Sequence, residues 1–173
     1  MKYLLIGEES ERMRFRKLSH DDFDEWLPFF DSQETADFIG ITDITDPVEQ
    51  CKFWFKRSFE RYEKQLGGIN VMTHKASGKI IGCSGLTIQH VDGIDELEIG
   101  YSILPEYRRQ GYALEGARKC KEYAKENRLT ESVISIIHKD NINSMTVAEK
   151  NGLILDKKTI FKGSEVVVYR GYL

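Results

Sequence analysis

The pattern of hydrophobic and polar positions changes period several times along the chain. In "RMRFRKL", Met13, Phe15 and Lys17 alternate with Arg14 and Arg16, which predicts a half-exposed strand. "KYLLI" precedes it across "GEESE". The pair predicts a hairpin, with an additional N-terminal strand within residues 1–10. "SHDDFDEWLPFF" then takes a helical period, with Ser19 as its cap and Asp22 as the acidic partner three residues on. In "DPVEQ", Asp46 is an N-cap, Pro47 a first helical residue and Glu49 the completion of a capping box. That helix is expected to run to Leu66 and end at Gly67 and Gly68.

Short β-rich runs follow: "GINVMTH", "GKIIGCSGLTIQHV" and "GIDELEIGYSIL", parted by "KASGK" and "DG" turns, predict an antiparallel meander. A long helix over 110–127 comes next. "SVISIIH" reads as a buried strand, residues 141–151 as a short helix stopped by Gly152, and "LILDKKTIF" with "SEVVVYRGYL" as a closing hairpin. This order of elements predicts an α+β (mixed α/β) fold. A central, mostly antiparallel sheet of about seven strands is flanked by about four helices, in a single domain over 1–173.

Composition narrows the function. With 173 residues, 40% hydrophobic and 31% charged, the chain is long enough to bury a core. Its net charge of -3 supplies no global basic field, so no nucleic-acid partner is expected and any anion site must be local. Cys51, Cys83 and Cys120 form neither a metal-ligand pattern nor a disulfide framework, which suits a reducing cytoplasm. No metal is expected. The apolar run Tyr3 to Ile6 is too short for a signal peptide, and no window approaches a membrane span.

One stretch carries chemistry. In "YSILPEYRRQGYALEGARK", Pro105 ends a strand because it has no N–H to donate. Arg108, Arg109, Gln110, Gly111, Tyr112 and Ala113 then lead into a helix. A helix N-terminus offers unpaired N–H groups, Gly111 lets the backbone approach a ligand, and the arginines can pair with phosphate oxygens. Together they form an anion cradle suited to a pyrophosphate. Ala113, Ala117, Cys120 and Ala124 give the helix a small-residue stripe for close packing on a sheet. A solvated surface pair is the plain alternative for the arginines taken alone. No P-loop or Rossmann glycine pattern is present.

"LPEYRRQGYA" resembles the acyl-CoA pyrophosphate motif [QR]-x-x-G-x-[GA] of the GNAT superfamily of N-acetyltransferases. "HKDNINSMTVAEKNGL" resembles that family's N-x-x-S…EK-x-GF segment. "ERMRFRKLSHDDFDEW" and "ELEIGYSILPEYRRQGYA" are similar to the group that acetylates ribosomal-protein N-termini. The resemblance implies a sheet whose fourth and fifth strands splay apart. It implies acetyl-CoA as cosubstrate, its pantetheine arm bonded to strand backbone near Ile103, its pyrophosphate on residues 108–113, and Asn141 as a polar contact to the arm. It implies acetyl transfer to a small-molecule or peptide amine, by a monomer or homodimer. A non-catalytic acyl-CoA-binding module on the same fold is the alternative.

The attacking amine must be neutral. At pH 7 an α-amino group is roughly 10% neutral, but a lysine is well below about 0.1%. A general base is therefore useful, and Glu98 is the candidate. Strand alternation sets Leu97, Ile99, Tyr101 and Ile103 on one face and Glu96, Glu98, Gly100 and Ser102 on the other, with Glu98 nearer the implied splay. Two solvent-facing glutamates are the alternative. The tyrosine acid that many family members carry is replaced by Ala148, and Ser144 of the N-x-x-S segment is the candidate thiol-side group. A helix-start hydrogen bond would equally explain Ser144. The four histidines are read as structural or surface residues. Trp26, Phe29, Phe30, Trp54 and Phe55 are read as core, and Asp37 and Asp43 as acidic residues able to attract a cationic acceptor.

Overall fold

The structure is a computed structural model and describes residues 2–173. Seven strands form one sheet: β1 (Met13–Lys17), β2 (Gly67–His74), β3 (Ile80–Val91), β4 (Ile94–Ile103), β5 (Ser132–His138), β6 (Ile154–Phe161) and β7 (Ser164–Tyr172). Their order is β1-β2-β3-β4-β5-β7-β6. Every neighbouring pair is antiparallel except β4–β5, which is parallel and joined at one residue pair, Glu98 with Ile134. Past that pair the two strands separate toward their C-terminal ends, so the sheet opens into a wedge.

Helices cover both faces. On one lie α1 (Phe23–Trp26), α2 (Gln33–Phe38) and α3 (Pro47–Glu63). On the other lie α4 (Tyr112–Glu126) and α5 (Ile142–Lys150). The first face buries Trp26, Phe29, Phe30, Trp54 and Phe55 together, as their hydrophobicity predicts, and Trp26 stacks between Phe29 and Trp54. The second buries Met13, Phe15, Leu97, Ile99 and Ile103 against Ala117, Cys120 and Ala124 of α4. The small residues allow a close approach. A Cβ on Gly116 would lie 2.6 Å from Met72 Sδ and 3.1 Å from Ser84 Cβ.

Several expectations change in detail. Among residues 2–10 no extended strand forms, and Glu9 makes a single bridge to Arg14. The Leu5 N–H donates to the Asn70 side chain, at 3.0 Å to Oδ1, rather than to a strand carbonyl, while Leu4 enters one core and Leu5 the other. Lys17 is exposed, with its ammonium over the Tyr62 ring, and Leu18 takes the buried place instead. The helix after Ser19 starts with the expected capping box but splits into short 3₁₀ and α segments around Pro28, which has no N–H to give. Asp46 caps α3 by accepting the Glu49 N–H, but the Glu49 carboxylate turns to Lys52, leaving the box half made. That helix stops at Glu63, and Gly67 opens β2 rather than closing the helix.

Candidate functional site

The loop from β4 to α4 has the shape the sequence suggests. Pro105 to Tyr107 make one 3₁₀ turn, Arg109 adopts φ 60°, and Gly111 adopts φ 84° as the N-cap of α4. No side chain caps this helix. Among the described residues, no acceptor takes the N–H groups of Arg109, Gln110, Gly111, Tyr112, Ala113 or Leu114. They form a row of donors at the positive end of a 15-residue helix.

The two arginines behave differently. Arg108 is held by Asp31, with Nη1 to Oδ2 at 2.8 Å, and its Nε donates to the Ile103 carbonyl at 3.2 Å. Burial pushes the Asp31 carboxyl up, but hydrogen bonds from Arg108 and Thr35 outweigh it and hold the group below its ordinary value. Arg108 thus ties the cradle to the strand end. Arg109 is exposed and, among the described residues, unpaired. The Gln110 carbonyl accepts Arg12 Nη1 at 3.0 Å, and the Arg12 guanidinium stacks on the Tyr112 ring at 4.1 Å. Arg12 carried no signal for this site, because it lies just before β1, 98 residues from Gln110.

The wedge follows from ladder parity. Leu104 N–H bonds the Ile81 carbonyl at 3.0 Å, so even-numbered residues of β4 turn their backbone groups to β3 and odd-numbered ones toward β5. The Ile99 carbonyl is taken by Ser135 Oγ at 3.0 Å. Tyr101 and Ile103 lie beyond the last β4–β5 pair, and their N–H groups face the opening.

A cavity of about 220 Å³ runs through this opening. Glu98 enters it from the face of α1 to α3. Thr87 Oγ1 and Gln89 Nε2 donate to its Oε2 at 2.9 and 2.7 Å, fixing the carboxylate where it lines the cavity. Ser144 enters from the opposite face, on α5. Its Oγ donates to Tyr101 Oη at 3.1 Å, and the Tyr101 hydroxyl donates to the Ser144 carbonyl at 2.8 Å. Burial pushes the Tyr101 phenol up to about 12, against the Ser144 hydrogen bond. Asn141 caps α5 by accepting the Ser144 N–H at 3.1 Å, and it also lines the cavity. Ala148 is buried in the small core between α5 and β7.

Several cavity residues, among them Tyr101, Arg57, Arg61 and Lys162, were not singled out in the sequence for this site. Tyr101 sits in the alternating row that reads as core. Arg57 and Arg61 lie one turn apart on α3, and that four-residue spacing was the available signal. Lys162 comes from the β6–β7 turn, whose partner elements are remote in sequence. His138, read as structural or surface, lines the cavity too, its ring 5.4 Å from Phe38. Asp37 lines the cavity and Asp43 is exposed outside it. The three cysteines are buried, and burial pushes the Cys51 and Cys120 thiols up to about 12, which removes them as nucleophiles at neutral pH. Among the described residues there is no group of three or more His, Cys, Asp or Glu able to hold a metal, and no helix is long and apolar enough to cross a membrane.

Comparison with known proteins agrees with this geometry. Residues 12–154 match the model of the acetyltransferase (GNAT) domain. The chain is 30% identical over 144 residues to the uncharacterized protein YkkB of Bacillus subtilis, covering 83% of this chain and 81% of that one. In structure it is similar to an acetyltransferase from Agrobacterium tumefaciens, with a TM-score of 0.78, 24% identity, and 96% and 94% of the two chains covered. It also shares its fold with RimL, a ribosomal L7/L12 α-N-protein acetyltransferase solved with coenzyme A, at a TM-score of 0.74 and 13% identity, covering 97% of this chain and 98% of that one.

Proposed function

Because this chain belongs to the GNAT acetyltransferase family, we propose that it transfers an acetyl group from acetyl-CoA directly to a primary amine held beside Glu98. One observation carries the reading. β4 and β5 part immediately after the Glu98–Ile134 pair, and the resulting opening has a fixed carboxylate on one face and a hydroxyl pair on the other.

In this mechanism the N–H groups of residues 109–114 receive the pyrophosphate of acetyl-CoA, with Arg109 adding charge at the rim. The pantetheine arm lies in the wedge along the backbone of Tyr101 and Ile103, within reach of Asn141. The amine nitrogen attacks the thioester carbon, forming C–N as C–S breaks. The proton lost by nitrogen passes to Glu98, directly or through a water. The tetrahedral oxyanion is met by an N–H of the splayed strand. Acetyl-CoA and amine thus give N-acetyl amine and coenzyme A.

The leaving thiolate emerges on the Ser144 side. Burial raises the Tyr101 phenol to about 12, so it holds its proton and is a weak acid here. Tyr101 positions Ser144, and the Ser144 hydroxyl faces the sulfur. Replacing the carboxylate should slow chemistry without weakening cosubstrate binding. Glu98→Gln is expected to lower kcat by about 10²-fold or more with an unchanged KM for acetyl-CoA. Its residual rate should climb with pH as more amine becomes neutral. Full activity in Glu98→Gln would remove Glu98 as the base. If acetyl-CoA raises Tm yet no amine is turned over, the chain is an acyl-CoA-binding module instead.

A further inference from the structure

The cavity wall opposite the thioester carries more positive charge than the protein neutralises. Arg57 and Arg61 project from α3 into the cavity, and Lys162 reaches it from the β6–β7 turn. Among the described residues, none of the three forms an ion pair. Arg57 gives both terminal nitrogens to one carbonyl, that of Ile39, at 3.3 Å, and its guanidinium lies over the Phe53 ring at 5.7 Å. Arg61 donates one terminal nitrogen to the Ile88 carbonyl, and its Nε is buried with no partner.

The groups facing them are few. Glu98 is committed through Oε2 to Thr87 and Gln89, Asp37 accepts Gln33 Nε2 at 2.9 Å, and His138 stands within 3.8 Å of Asp140. Burial pulls the Arg57 guanidinium below its ordinary value, and the neighbouring Arg61 adds to this. Burial also lowers Arg61, and it lowers Lys162, on which both arginines act further. Arg57 and Arg61 are half-buried and Lys162 is exposed; cations that repel one another and leave donors unused are costly unless a ligand completes them.

We propose that the acceptor is a small amine that also carries an oxyanion, a carboxylate or a phosphate, which binds to Arg57, Arg61 and Lys162 while its amino group faces Glu98. This rests on the acetyl-transfer reading and adds the acceptor's class. The same charges repel an acceptor that carries ammonium groups and no anion. A polyamine is disfavoured by the same repulsion, so the proposal stands against the cationic acceptor that Asp37 and Asp43 suggest in the sequence.

The test compares matched pairs by thiol release from acetyl-CoA: phosphoethanolamine against ethanolamine, and β-alanine against its amide. The anionic member should have a KM lower by about tenfold or more, the value of one charge-assisted hydrogen bond, and the advantage should shrink with added salt. Arg61→Gln and Lys162→Met should each erase most of that advantage without changing the KM for acetyl-CoA. Lys162 lies on an exposed turn, so its variant folds even if the α3 variant does not. Equal or better use of the neutral partners, or unchanged KM ratios in both variants, would overturn the proposal. If no amine releases thiol, catalysis fails as a reading, but the anion site is still judged by calorimetric titration of phosphoethanolamine into the coenzyme A complex. Binding that weakens in Lys162→Met upholds the site, and no binding overturns it.

Discussion

At Gly111 one missing side chain decides access to the helix start. Its φ of 84° suits glycine, and a Cβ there would lie 3.4 Å from Arg12 Nη2. Aspartate tolerates this conformation better than most residues, so Gly111→Asp should fold while setting a carboxylate against the pyrophosphate. Coenzyme A affinity measured by calorimetry should fall by about tenfold or more. Arg108→Ala should cost less, because that guanidinium is already engaged by Asp31 and the Ile103 carbonyl. An Arg108→Ala loss larger than that of Gly111→Asp would mean that Arg108 leaves Asp31 to hold phosphate. Tyr101→Phe keeps the ring's packing but removes both hydrogen bonds to Ser144. It should lower kcat several-fold and leave the KM for acetyl-CoA unchanged. An equal fall in Ser144→Ala and no further fall in the double variant would show that the pair acts as one unit.

Among elements, the contact between α4 and the sheet sets the cradle's position. Gly116→Ala would press on the flexible end of Met72, and roughly 1 kcal/mol of stability should be lost. Gly85→Ala instead drives a methyl to 2.1 Å from the Gly68 carbonyl of β2, backbone that cannot move aside. It should cost roughly 3 kcal/mol or more, read as a lower urea midpoint. Glu115 ties α4 to the N-terminal segment by accepting Ser10 Oγ, the Arg12 N–H and Arg12 Nε, each at 2.7 Å. Burial pushes its carboxyl up, but these hydrogen bonds prevail and hold it below the ordinary value. A carboxyl lowered in the folded state stabilises above its unfolded pKa and loses that contribution as pH falls through the folded one. Stability should therefore drop below about pH 4, and less steeply in Glu115→Gln.

Legibility in the sequence divides along the same lines. Elements with local signals were readable: Asp92 and Gly93 form the tight turn that "DG" predicts, Ser19 and Asp46 cap as expected, and the β4 alternation puts Glu98 and Ile99 on opposite faces. What was not readable depends on contacts between distant segments. Leu4 and Leu5 read as strand residues, but the Leu5 N–H is taken by the Asn70 side chain, 65 residues away. Arg12 reaches the cradle, and Arg108 meets Asp31, only through tertiary packing, and the charge of the cavity appears only when α3 meets the β6–β7 turn.

Across the whole molecule, the sheet acts as a partition with one gap. The α4 and α5 face presents the helix-start donors and Ser144, while the α1 to α3 face presents Glu98 and the unpaired cations. The two sides meet where β4 and β5 part, so in the proposed reaction cosubstrate and acceptor would meet at that point from opposite faces. The proposed direct transfer suits this layout, because Cys51, Cys83 and Cys120 are all buried away from the gap. The most direct measurement is free-thiol release from acetyl-CoA across a panel of amines, with the acetylated product quantified by mass spectrometry in the same reaction. The expected result is thiol release that requires an amine, with one N-acetyl amine formed per thiol. Acetyl-CoA binding with no amine-dependent thiol release would contradict it.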